Sequence, residues 1–500
     1  MISNYGLGIL VGLLPAVMLG GGALVCAGVA AVRPRTRASL YRWVTLIMTA
    51  GAFAAAILEL RGLDHSRSGI GLAAYSGGLM IDRFHVFGTV LVCAVVALSV
   101  LGAEAYMRRV PARAGAFCAL LQLSAGAAVM LLAQREMAAF TAALALLLVS
   151  LVVLTAMTKT SGLTAEAAFR QVLAGGVALA TSVYGLVLLY AATGTTDLSR
   201  LATGTRADGT PVDPVLATVG IALVVVGLLV VVGAPPLQAW VRHTQEATPG
   251  AIAGFGSALG VIAGTSVLAR FAVEGFGAGS TRFTLLVSVL AAAAMLSGAV
   301  LAIRATTIRR LIADLSITQS GFLLLAVTAT GPGASVVSLA GPTALLFTLM
   351  GAAAALVAVL LLAGVFDAAG LGVGIDAYRG AGRRAPATAA MLALALLGLA
   401  GAPPLAGFFG RILIAESALD AGAGWAVAIS AIALLLSIAA VIRWLATMYA
   451  EDNNEAPFAV GTTPLPARIT AWSVAGLGLL IAAFAGPLIS IAGGGATALH

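Results

Sequence analysis

Apolar runs of about 18 or more residues recur from one end of this chain to the other, and that recurrence decides what it can fold into. A helix of that length crosses a hydrocarbon core of roughly 30 Å, where each backbone amide must find its partner within the segment. Of the 500 residues 61% are hydrophobic and only 9% charged, too little charge to cover water-soluble domains. The first run, Tyr5 to Val32, is too long for a signal-peptide core and is followed by no small-residue cleavage site. It reads as an uncleaved span.

The pattern predicts an all-α polytopic membrane protein of about fourteen helices. The spans cover 5–32, 40–60, 79–104, 114–133, 137–157 and 167–192, then 214–232, broken at Pro235-Pro236 and resuming to about 247. They continue over 250–272, 281–304, 306–330, 337–366 and 388–402, the last broken at Pro403-Pro404 and resuming to about 420, and end with 424–449 and 468–492. The net charge of +8 collects in short connections: Arg33, Arg35 and Arg37 after the first span, Arg108, Arg109 and Arg113 after the third, Arg304, Arg309 and Arg310 after the ninth. That is the positive-inside pattern of a bilayer protein, with both termini outside, and it requires no nucleic-acid partner. Cys26, Cys93 and Cys118 lie in apolar spans without CxxC spacing and form neither a disulfide framework nor an iron–sulfur site.

The most informative internal feature is a repeat. Gly233-Ala234-Pro235-Pro236-Leu237 recurs as Gly401-Ala402-Pro403-Pro404-Leu405, each inside an apolar span. Proline removes a donor and clashes with the preceding turn, so two in a row open a helix and free carbonyls that must be satisfied in a buried or water-lined place. Matching breaks in two halves mark a structural repeat with discontinuous helices, and the odd number of spans between them makes the halves inverted. A second similar pair is Tyr184-Gly185-Leu186 and Ser320-Gly321-Phe322.

Residues 77–87, 164–197, 234–270 (with Pro236, Trp240, Glu246, Pro249 and Arg270 in register), 308–325 and 401–411 carry, in order, a resemblance to the antiporter-like subunits of proton-translocating NADH-quinone oxidoreductase (complex I). The loop ending Ala-Thr-Gly-Thr-Thr-Asp at Asp197 resembles subunit N most. The resemblance implies a three-helix segment over 1–113, inverted five-helix repeats over 114–272 and 281–449, and a C-terminal helix in 450–500. It also implies a multi-pass place in the bacterial inner (plasma) membrane beside the other membrane subunits and lipid. No cofactor is expected on this chain; NADH, FMN, iron–sulfur clusters and quinone fall to partner subunits.

Family members are expected to carry a glutamate in the fifth span and lysines in the seventh, eighth and twelfth as proton carriers. Here those positions fall at Ala145, Val231, Val261 and Arg411. The only lysine of the chain, Lys159, sits in a loop. Arginine keeps its charge and does not give up a proton. Arg411 therefore either biases a proton path, or snorkels or caps the carbonyls of the break. A path would otherwise rely on water and hydroxyls such as Thr141, Ser150, Thr265, Ser266 and Thr348. His243 and Glu246 read as a proton entrance or an interfacial loop, Asp314 as the local partner of Arg310, Asp82 as a carboxylate at a helix N-terminus, and His85 as interfacial. Two mechanisms share this fold and location: a subunit with its own proton channel, and a structural paralogue that does not pump. A stand-alone cation/proton antiporter is the third reading.

Overall fold

The computed structural model describes residues 2–33, 36–64, 72–74, 77–158, 162–198, 201, 204–274, 280–330, 340–451 and 465–497. Its helices are α1 (Ile2–Val32), α2 (Ala38–Asp64), α3 (Arg83–Gly102), α4 (Glu104–Arg109), α5 (Ala114–Ala133), α6 (Met137–Ala156) and α7 (Gly162–Thr193). The first break separates α8 (Pro214–Val232) from α9 (Ala239–Ala247), followed by α10 (Gly250–Glu274), α11 (Ser280–Ile303), α12 (Ile308–Thr328) and α13 (Ala340–Ala368). The second separates α14 (Pro386–Ala400) from α15 (Ala406–Asp420), before α16 (Gly424–Tyr449), α17 (Leu465–Ala483) and α18 (Ala485–Ala496). Among the described residues, twelve helices are long and apolar enough to cross a bilayer unaided. The expected fourteen are reached only by counting α14–α15 and α17–α18 as one span each.

Two elements differ from expectation. The last span is not straight: α17 and α18 meet at 86°. Pro487 cannot donate to the turn before it, so the helix restarts at Ala485. The third span begins at Arg83. The residues before it form β2 (Leu79–Ile81), paired antiparallel with β1 (Leu72–Ala74), and Asp82 caps α3 by accepting the His85 amide at 2.7 Å.

The connections sort onto two faces as the arginine pattern requires. Arg113 donates to the Met157 and Thr158 carbonyls, and Arg443 to those of Ile303 and Ala305, tying odd-numbered connections together on the arginine-rich face. On the opposite face Leu79 bridges Gln134, and Glu136 bridges Asp197.

At the extremes of the scale, burial runs against hydropathy. The two least apolar of the twelve spans, α10 and α12, are the two most buried, and α12 is buried at every position but Arg310. The most apolar, α8, is only half covered. In lipid, apolar side chains gain nothing by turning inward, so polar residues select the centre of the bundle.

Small residues let these helices approach. A methyl on Gly321 would lie 2.6 Å from the Met295 amide nitrogen of α11, and one on Gly185 would lie 2.6 Å from the Gly220 carbonyl of α8. The two glycines thus serve the same packing device. Gly185 meets the helix after its own and Gly321 the helix before, so they are not equivalent positions of a repeat. Gly321→Ala forces two backbones apart and is expected to cost about 1–3 kcal/mol. A lowered thermal midpoint of the detergent-solubilised protein checks it, and an unchanged midpoint would show that α11 and α12 can separate freely.

Candidate functional site

Both breaks have the same backbone form. α8 ends in Gly233 at φ 79, ψ 31, and α14 in Gly401 at φ 80, ψ 34, a left-handed conformation that glycine adopts without penalty. Ala234 N donates to Leu229 O and Ala402 N to Leu397 O, both at 2.9 Å, closing the helix ends in the same way. The remaining carbonyls are satisfied differently. In the first break Trp240 Nε1 donates to Val230 O at 3.1 Å and Ser320 Oγ to Val232 O at 2.9 Å. In the second, Arg411 alone donates to both Ala400 O and, at 3.0 Å, Leu399 O.

Arg411 is 4% exposed and does not snorkel. Its guanidinium carbon stands 4.1 Å from the centroid of the Phe322 ring, and Nη2 lies 3.4 Å from Gln319 Oε1. A helix C-terminus and an aromatic face, both negative in character, hold this cation without a carboxylate. Gly401 is required twice here, because a Cβ on it would collide with the guanidinium. Of the adjacent pair Gln319 and Ser320 on α12, Ser320 therefore bonds the first break directly and Gln319 meets the second through Arg411.

A polar track leads from this point to the arginine-rich face. Gln245 Nε2 donates to Ser257 Oγ at 2.9 Å and to Ser316 Oγ at 3.2 Å. A cavity of about 20 Å³ beside them, lined by Gln171, Trp240, Thr244 and Gln245, has room for one water. Nearer the face, Arg242 grips Asp314 with two bonds, at 2.5 and 2.7 Å, and Arg310 pairs with Glu246 at 2.6 Å. A larger cavity of about 350 Å³ opens there between Glu246, Thr248, Arg309, Asp367, Arg109 and Tyr106.

Beyond Arg411 no side-chain hydrogen bond continues the track among the described residues, although Ser266 Oγ and Thr348 Oγ1 are buried without a partner. Val231 and Val261 are 4% and 3% exposed, and the α8 and α10 backbones are in contact beside them, where a methyl on Gly260 would sit 2.7 Å from Val231 O. Thr141, Ser150 and Thr265 donate to carbonyls of their own helices four residues back, so they do not form a wire.

With this geometry in view, the relatives are informative. The model of the NADH:quinone oxidoreductase/Mrp antiporter transmembrane family matches residues 135–437. The chain belongs to this family. NADH-quinone oxidoreductase subunit N of Salinispora tropica is 32% identical over 397 residues, 77% of this chain and 75% of the relative. Subunit N 1 of Opitutus terrae is 29% identical over 492 residues, covering 96% and 94%. Among solved structures, a chain of the membrane-bound sulfane sulfur reductase, an archaeal respiratory membrane complex, superposes with a TM-score of 0.84 at 23% identity over 97% of each chain. A chain of the Mrp complex from Dietzia sp. gives 0.78 at 17% identity, over 99% of this chain and 97% of that one. These structural likenesses speak for the fold.

Against the antiporter-family pattern, the structure brings Arg411 into the break, as a cap on carbonyls. His243 and Glu246 lie on a helix, α9, and not in a loop: His243 Nε2 is 2.7 Å from Arg170 Nη1, and Thr307 donates to Glu246 at 3.2 Å. Asp314 does not pair with Arg310 on its own helix. Arg242 takes it across the helix interface, because the Asp314 side chain is fully buried while that of Arg310 is half exposed. His85, in the first turn of α3, is buried among the helices at 1% exposure. Lys159 lies outside the described residues. Sequence reasoning missed Arg242, Gln245 and Gln319 of the track, and it missed Glu59, 2% exposed in α2. A lone carboxylate inside an apolar run was the available signal.

Proposed function

We propose that this chain is a membrane-arm subunit of a proton-translocating NADH-quinone oxidoreductase in a bacterial plasma membrane. It contributes to proton movement coupled to quinone reduction carried out elsewhere in the complex. In this reading its own role is non-redox, and NADH, FMN, iron–sulfur clusters and quinone belong to partner subunits. The other membrane subunits and lipid cover its outer helices.

The observation that carries the reading is the link between the helix breaks through the buried polar helix α12, where Ser320 bonds the first and Gln319 meets Arg411, the cap of the second. Protons reaching the track from the arginine-rich face meet the fixed charge of Arg411. That charge opposes their advance and yields only when the field around it changes. Arg411 is a gate and not a carrier. The second reading, an assembled subunit that does not pump, draws on the packed Val231 and Val261.

The two are separated by the proton yield per NADH oxidised in sealed vesicles, with this chain as the only subunit N-type protein. Arg411→Gln keeps one amide donor for the break and removes the charge. A reduced proton yield at unchanged NADH oxidation supports the gate. An unchanged yield in assembled complex supports the structural role.

A further inference from the structure

Among the described residues, a buried carboxylate with no arginine partner lies in the N-terminal segment, outside both proposed repeats. The Glu59 and His85 side chains are each 1% exposed, with Glu59 Oε2 3.9 Å from His85 Nε2. Thr89 Oγ1 stands 3.4 Å from the same nitrogen. Both Glu59 oxygens and His85 Nδ1 have no hydrogen-bond partner among the described residues. We propose that Glu59 and His85 form a proton-exchange site near the face opposite the arginine-rich one.

The argument is one of charge and space. A buried carboxylate with neither hydrogen bond nor counter-ion costs several kcal/mol, so the site must hold a proton. Two arrangements satisfy it: a carboxylic acid beside a neutral imidazole, or a carboxylate beside an imidazolium. Both have zero net charge, so the proton passes between Glu59 Oε2 and His85 Nε2 without leaving a net buried charge. The separation is one that a single water bridges. The free Nδ1 gives the imidazole a second nitrogen through which to release what it receives.

Among the described residues no neighbour competes for this role. Asp82 and Arg270 lie close by but bind each other at 2.9 and 3.1 Å. Arg83 starts α3, and Cys93 follows two turns along the His85 face. Arg61 and Asp64 end α2, α1 and α5 contribute no charged side chain, and α10 adds only Glu274 at its terminus. Of the other helices against α3, α4 carries Glu104, Arg108 and Arg109 at the far end of α3, with Glu104 paired to Arg42 and Arg108, α13 carries Asp367 and α17 Arg468, both at their ends, and α18 has none. Glu59 stands five residues from the end of α2, about 7.5 Å along the axis, so the path to the nearer face is short.

The site serves the proton movement proposed above, but its protonation is measurable without it. Infrared difference spectra of the purified complex across a pH titration should show a carboxyl C=O band that appears and disappears. Glu59→Gln should remove that band, and His85→Asn should displace it along the pH axis by about one unit or more. A proton yield lowered in Glu59→Gln with NADH oxidation intact then follows. The proposal is overturned if the Glu59-dependent band is absent, does not change with pH, or is indifferent to His85→Asn. A complex that retains the titrating band but pumps no protons contradicts the functional reading alone. Pumping without the band contradicts this site alone.

Discussion

Arg411→Ala is expected to lower the stability of the protein by about 3 kcal/mol or more and to reduce its assembly. The change orphans the Leu399 and Ala400 carbonyls, at roughly 1–3 kcal/mol each, and leaves a cavity under Phe322. Against this stands relief from burying a cation, about 2.5–3.5 kcal/mol on insertion scales. The two carbonyls nearly balance that relief, and the cavity with the lost cation–π contact tips the sum toward destabilisation. Arg411→Gln should fall between, because one amide group can still reach the break. The internal control is His243, eight residues past Pro235 as Arg411 is eight past Pro403. His243 faces outward against Arg170, so His243→Ala should change stability by no more than about 0.5 kcal/mol. Thermal unfolding in detergent and the yield of intact complex on native gels measure both. Equal losses at the two positions would mean that Arg411 does not hold the break.

The second large effect is expected at the Asp82–Arg270 pair, which joins α3 to α10 through side chains 0% and 6% exposed. Arg270→Leu leaves a buried carboxylate without its cation, at about 3–5 kcal/mol. Adding Asp82→Asn should recover most of that loss. Asparagine carries no charge to bury and still caps α3, as the Asp82 carboxylate now does by accepting the His85 amide. Rescue in the double variant, read as a coupling energy in a double-mutant cycle, checks the assignment. If the double variant is as unstable as Arg270→Leu, the arginine acts through packing on Phe84, 5.6 Å from its guanidinium, and not through charge.

The sequence by itself determined the membrane class, the places of most spans, the face that carries arginine, and both helix breaks. These are local properties. Span length follows from the apolar run, and a Pro-Pro pair opens a helix whatever surrounds it. The bend at Ala485 was equally local, with Pro487 as its signal, and was passed over.

Partners were not legible. Arg242 and Asp314 are 72 residues apart, Gln319 and Arg411 are 92 apart, and Asp82 and Arg270 are 188 apart. Helical spacing shows which residues share a face but not which helix crosses it. The same-helix pair Arg310 and Asp314 was therefore the natural expectation, and tertiary packing overrode it. Packing also separated His243 from Arg411, which the repeat makes equivalent, sending one outward and the other under the break. It buried Glu59 and His85 together on helices that composition alone leaves indistinguishable from lipid-facing ones. In a bilayer the apolar residues are content on either side, so burial is decided by where scattered polar groups find one another. Only the folded arrangement holds that information.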